Sequence, residues 1–271
     1  GLGDVYKRQE KNRRKRLNDL SIKWKDFYKN VFALVVPMAL QNLINVGVTA
    51  ADVVMLGKVS EKVLSGASLA GQIQYIMVLF LFGLTSGATV LTAQYWGKGD
   101  KAAIEKILAL GIRSAVIITA IFTIAAFTIP ASLMRIFTND PQVIAEGVKY
   151  LRIVACSYII MGITNVYLYV MRSIERVIVA TVVYLVSFLC NVVFNAIFIF
   201  GLFGFPALGI RGAAIATLIA RIMELVLVCG YAKIYNKDVK FRVHYFFHQD
   251  KLLVRDFLVY SLPVVLNEVM W

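Results

Sequence analysis

The sequence predicts an all-α integral membrane protein: a six-helix transmembrane lobe followed by the start of a seventh span. Three observations carry this. Aliphatic, aromatic and Cys residues make up 59% of the 271 positions and charged residues only 17%, more apolar and less charged than a soluble domain. Six windows are long enough to cross a bilayer as helices, which takes about 20 apolar residues. Lys and Arg collect in alternate gaps between those windows, as basic loops held on one side of a membrane do.

The elements follow in order. A basic tail, 1–28, opens the chain, and its first nine residues, GLGDVYKRQ, read as foreign to the fold. Apolar runs then predict spans at 31–56, 69–94, 107–134, 148–171, 177–203 and 212–235, so the six-helix lobe occupies 29–235. Each connection is short except 236–255, NKDVKFRVHYFFHQDKLLVR. This polar, basic and aromatic linker reads equally as a helix lying on the membrane surface or as a solvated loop. From 256 the apolar pattern resumes and stops inside a run at Trp271. Residues 256–271 therefore read as the truncated start of a seventh span, helical but poorly docked, in a piece of something longer. Pro37 and Pro263 lack a backbone donor and mark expected kinks.

Orientation follows from the cations. The tail through Lys29, with the 95–106, 172–176 and 233–255 gaps, holds 21 of the 29 Lys and Arg, and the opposite gaps hold six. The expected N-terminus is therefore cytoplasmic, in a multi-pass protein of the cell (plasma) membrane. The net charge of +13 is a topology signal; its spread over tail and gaps is not the single basic face of a nucleic-acid binder. Cys156, Cys190 and Cys229 all fall inside apolar runs and read as small core residues, without disulfide or metal spacing.

Against this apolar background a few polar side chains stand out. Asp52 is the only charged residue between Val31 and Leu56, roughly 30 Å along span one at 1.5 Å per residue. A carboxylate in hydrocarbon costs a few kcal/mol and normally faces a bundle interior or an aqueous cavity. At 100° per residue, Gln41, Asn45 and Asp52 fall within about 40° of one another, with Thr49 near them. Interhelical hydrogen bonding suffices to explain Gln41 and Asn45; an unpaired carboxylate is a poor choice for that and points to function. In span five Tyr184, Ser187, Asn191 and Asn195 share a face at helical spacing. With Asp52 they offer oxygens for a proton network or a small hard cation, although packing between spans one and five explains the asparagines alone nearly as well. In span six Gly212, Ala213, Ala216 and Ala220 permit close helix approach. Arg221 and Glu224, three apart, read as a structural ion pair.

No enzyme signature stands beside these. His244 and His248 sit one turn apart in the linker, with no Glu or Cys to complete a metal site. The GKGD at 97–100 is not a phosphate loop, since no Ser or Thr follows Lys98 and no strand precedes it.

The chain resembles the MATE family, the multidrug and toxic compound extrusion transporters. The likeness runs from about Phe27 to Trp271 through VVPMALQNLINVGVTAADVVMLG, TAQYWGKGDKAA, IFTNDPQVIAEGVKYLRI, LVSFLCNVVFNAIFIFG, LGIRGAAIATLIAR and LPVVLNEVMW, in that order. The resemblance implies a twelve-span transporter of two six-helix lobes, of which this is the N-terminal half with 236–255 as inter-lobe linker. It implies small-molecule substrates, often cationic amphiphiles, exported against inward protons or sodium, with no other cofactor. It implies a cation site in the first lobe, matched here by Asp52 and Asn191, with Thr217 a candidate in span six. Asn195 stands where many members have a second acid, a departure that removes one negative charge. Glu268 resembles an acid of the seventh span that lines the second lobe's cavity in some members. Two other functions compete: a lipid-linked oligosaccharide flippase, expected to carry more cationic residues in its cavity, and a non-transporting membrane scaffold. The interior acids favour the first reading over both.

Overall fold

In the computed structural model, residues 24–247 and 250–270 are described; the basic tail to residue 23, His248 and Trp271 lie outside them. Six helices are long and apolar enough to cross a membrane, and no strand occurs among the described residues. They are Trp24–Gly57, Glu61–Gly97, Lys101–Thr128, Pro141–Ser173, Val177–Phe200 and Ile210–Ile234, here spans one to six. Span four is divided by a 3-10 turn at Ala155–Ser157.

Capping chemistry sets the helix starts. Ser60 accepts from the Val63 amide at 3.2 Å and Asp100 from Ala103 at 3.0 Å. Asp140 accepts from Gln142 at 2.8 Å, with Pro141 in the first turn of span four. Each side chain satisfies amides that lack a helical partner. Spans two, three and four therefore begin six to eight residues before their apolar windows at 69, 107 and 148. Span three also ends earlier than expected, at Thr128, and Pro130 opens a separate six-residue helix, Pro130–Arg135. Span one also starts seven residues before its window, whereas spans five and six stay close to theirs, and both helices that contain an interior proline are continuous across it.

The bundle core is apolar and closely packed, and its outer flanks are apolar as well. Met77, Leu81, Ile104, Leu108, Tyr158 and Leu168 are fully buried. Val46, Val54, Ile121, Ile124, Leu189 and Val193 are exposed on its flanks, as a lipid-facing surface requires. Spans five and six pack closely, as the small residues predict: a Cβ on Gly212 would lie 2.5 Å from the Phe198 carbonyl oxygen. Two of the cysteines are not core residues. Cys156 and Cys229 are exposed and Cys190 is half-buried, because outward faces of apolar runs are as hydrophobic as inward ones.

The linker is neither a single helix nor a free loop. Its first part is a strap tied to the lobe. Asn236 Oδ1 accepts from the Asp238 and Val239 amides, each at 3.1 Å. Buried Glu105 accepts from the Lys240 amide at 3.0 Å and pairs with Arg242 at 2.7 Å. Asp238 bridges Lys101 at 2.9 Å and Arg176 at 3.1 Å. A short helix follows, Val243–Phe247, and then the final helix, Lys251–Met270. That helix corrects the expectation of poor docking. It lies on span two, burying Phe257 and Ser261, and Ser261 donates to the Leu84 carbonyl at 3.4 Å. Gly83 and Gly87 leave the groove for it: added Cβ atoms would meet Val265 at 2.4 Å and Ser261 Oγ at 2.0 Å.

Candidate functional site

Every span except the third contributes to an internal cavity of about 430 Å³. Span one turns Asn45, Thr49 and Asp52 toward it, span five Tyr184, Ser187 and Asn191, and span six Thr217, Arg221 and Glu224. Asp52 is half-buried, and Asn191 and Asn195 are 3% and 0% exposed.

Polar contacts join three spans. The Asn195 amide donates to Asp52 Oδ1 and, at 3.0 Å, to Asn191 Oδ1. The Asn191 amide reaches Thr217 Oγ1 at 3.5 Å. Asn195 must present its NH2 to the carboxylate, since two oxygens facing each other would repel. Its own carbonyl oxygen is then left buried without a partner among the described residues. A buried acceptor with no donor is costly. The hydrogen-bonded run as a whole supplies oxygens from Asp52, Asn191 and Thr217. That set suits a proton or a small hard cation.

Ser187 donates to the Ala220 carbonyl at 3.5 Å, holding span five to span six. Tyr184 donates to Asn165 at 3.3 Å across the cavity wall. Two predicted residues lie elsewhere. Gln41 does not line the cavity: its amide donates to the Val177 carbonyl at 3.2 Å and to Thr181 at 2.8 Å, and its oxygen accepts from Arg172 at 2.5 Å. It shares the stripe of Asn45 and Asp52, but three turns below Asp52 the bundle has closed around it. Glu268 is half-buried on the final helix, away from this cavity.

Other lining residues escape sequence reasoning. Tyr150 borders the cavity beside Asp52. An apolar window starting at 148 leaves it at the membrane edge, whereas Asp140 starts the helix nearly three turns earlier. Arg172 reads as a loop cation but folds inward against Gln41 and over the Tyr169 ring, 4.7 Å from its centroid. Arg221 and Glu224 do pair, at 2.7 Å, but within the cavity wall. With those two charges matched, Asp52 is the carboxylate of the lining that has no cationic partner within 4.0 Å among the described residues.

Fold and site define a polytopic membrane protein with an oxygen-lined cavity inside an apolar six-helix lobe. Residues 37–197 match the family model described as MatE, and the chain belongs to that family. A probable multidrug resistance protein NorM of Thermotoga maritima is 28% identical over 198 residues, covering 71% of this chain and 42% of the relative. Two solved structures share the fold at TM-score 0.80 and 20% identity, over 89% of this chain and 52% of theirs. One is described as an outward-facing multidrug resistance MATE family transporter, the other as a transporter from Pyrococcus furiosus whose binding pocket has reversed polarity. The chain spans about half the length of the curated relatives it matches. These relatives are transporters rather than enzymes.

Proposed function

We propose that the chain forms one lobe of a secondary transporter of the cell membrane that exports cationic, amphiphilic small molecules in exchange for protons or sodium. Its N-terminus is cytoplasmic, residues 29–235 are the first lobe, and 236–255 leads to a second. The observation that carries this reading is the hydrogen-bonded run Asp52–Asn195–Asn191–Thr217, built from three spans, with Asp52, Asn191 and Thr217 bordering one cavity and Asn195 buried behind them.

The mechanism follows from the donors. With Asp52 ionised, the Asn195 amide donates to it, and a cation held by the Asp52 carboxylate would balance the buried charge. With Asp52 protonated, its hydroxyl can donate to Asn195 once that amide turns over, and the cation is no longer held. The two states differ in which contacts tie span one to span five. That difference couples ion occupancy to shape.

Asp52→Asn keeps the shape but neither titrates nor carries full charge. It should lower gradient-driven dye efflux from vesicles by at least about tenfold, the usual size of a coupling term, while leaving equilibrium dye binding measurable. Efflux at the parent rate would remove Asp52 from the coupling role. Arg221 is the lining feature that favours an anionic cargo such as a lipid-linked oligosaccharide, and its pairing with Glu224 cancels that charge locally. Dye efflux against lipid-oligosaccharide flipping in the same vesicles separates the two.

A further inference from the structure

Asp52 borders a second cavity. This one, about 530 Å³, lies between spans one and two and is lined by Thr49, Leu56, Leu64, Ser68, Gly71 and Gln72 as well as Asp52. It shares a wall with the inner cavity, made of Thr49, Asp52, Gln74, Tyr75, Val78 and Tyr150. The two run in opposite directions from that wall. The inner cavity reaches Thr85, Tyr169 and Glu224, more than two turns further into the lobe. The second is bounded by the last turns of span one and the first turns of span two, so it leads toward the 57–60 connection.

Resting on the reading of Asp52 as the coupling group, we propose that a hydrated monovalent cation, or a proton carried along water, reaches Asp52 through this groove between spans one and two. Cargo then occupies the inner cavity. The carboxylate is met from two sides, so the ion need not pass the cargo. Thr49, Ser68, Gln72 and Gln74 supply hydroxyl and amide oxygens along the groove. Such groups replace part of a cation's hydration shell as it loses water. The intervening Leu56 and Leu64 offer no fixed charge to trap it. Gly71 keeps the passage open: an added Cβ there would meet nothing within 4 Å. A larger side chain at 71 therefore has room to fill the groove without forcing the helices apart.

The test uses the complete two-lobe transporter reconstituted in liposomes in a background lacking native thiols, Cys156→Ser, Cys190→Ala and Cys229→Ser included. Asp52→Cys is labelled with the cationic probe 2-aminoethyl methanethiosulfonate, and Asn165→Cys reports on the inner cavity. Adding Gly71→Leu should slow labelling at 52 by at least about tenfold, since access limits the rate at which a thiol is attacked. Gly71→Ala should leave that rate unchanged, and labelling at 165 should be unchanged by both. Unaltered labelling at 52 with Gly71→Leu overturns the proposal. Equal slowing at 52 and 165 overturns it too, because the groove would then be a common path. A functional arm keeps Asp52: Gly71→Leu should slow ion-driven dye efflux while equilibrium dye affinity stays within about twofold of the parent, since a blocked ion path changes a rate and not cargo binding. If Gly71→Leu pumps at the parent rate while Asp52→Asn does not, the route fails and the coupling role stands. If Asp52→Asn pumps at the parent rate, the coupling role itself fails.

Discussion

Asn195 Oδ1 is buried without a partner among the described residues, on the same amide whose nitrogen serves Asp52 and Asn191. Converting this residue tests what the arrangement is for. Asn195→Asp places a second carboxylate within contact of Asp52, and two adjacent carboxylates cannot both ionise without a cation or a shared proton. Sodium should therefore stabilise Asn195→Asp more than the parent chain. At 100 times its dissociation constant a ligand adds about 2.7 kcal/mol, which thermal unfolding in detergent with and without sodium would register. Equal sodium response in both would show that the site does not hold a cation. Asp52, Asn191 and Asn195 are legible in the sequence because a charge in an apolar run and two amides one turn apart stand out by helical periodicity. The partnership of Gln41 with Arg172 is not legible. It joins residues 131 positions apart, and nothing local distinguishes a stripe residue at the cavity from one in the closed bundle below it.

At the scale of elements, the apolar windows make six spans legible, but polar caps at Ser60, Asp100 and Asp140 carry three helices beyond those windows. The docking of the final helix was equally hidden, because it depends on two glycines in span two that read as ordinary small residues. Gly87→Leu should undo it. The extra bulk meets the Ser261 side chain and backbone, and overpacking of this kind costs roughly 1–3 kcal/mol, enough to raise trypsin cleavage after Lys251 and Arg255 several-fold. Cleavage at the parent rate would place the docking elsewhere. The strap makes a separate prediction. The Lys101 hydrogen bond, followed by that of Arg176, holds the Asp238 carboxyl below its ordinary value. A folded value below the unfolded one means the contribution is complete above about pH 4 and fades as pH falls through the lower folded value. Hydrogen exchange at Val239 and Lys240 should therefore be faster in Asp238→Asn than in the parent at neutral pH. The two should converge well below pH 4. A constant difference down to pH 2 would exclude Asp238 as the cause.

For the whole molecule, the direction of both cavities matters only once the lobe is oriented. The Lys and Arg of the 95–106, 172–176 and 233–255 segments gather at one end of the bundle, where Lys101, Arg176, Asp238 and Arg242 are in contact with their partners. The 57–60 connection lies at the opposite end, because span two returns the chain. Basic ends stay cytoplasmic, so the groove beside Asp52 should open outward and the strap should lie inside. Lys58→Cys and Lys237→Cys, each exposed, test this in a background lacking the native thiols. In right-side-out vesicles a membrane-impermeant maleimide should label position 58 and reach 237 only after permeabilisation. The reverse pattern would invert the lobe. The groove would then open to the cytoplasm, and ions driven inward would leave Asp52 through it rather than reach it.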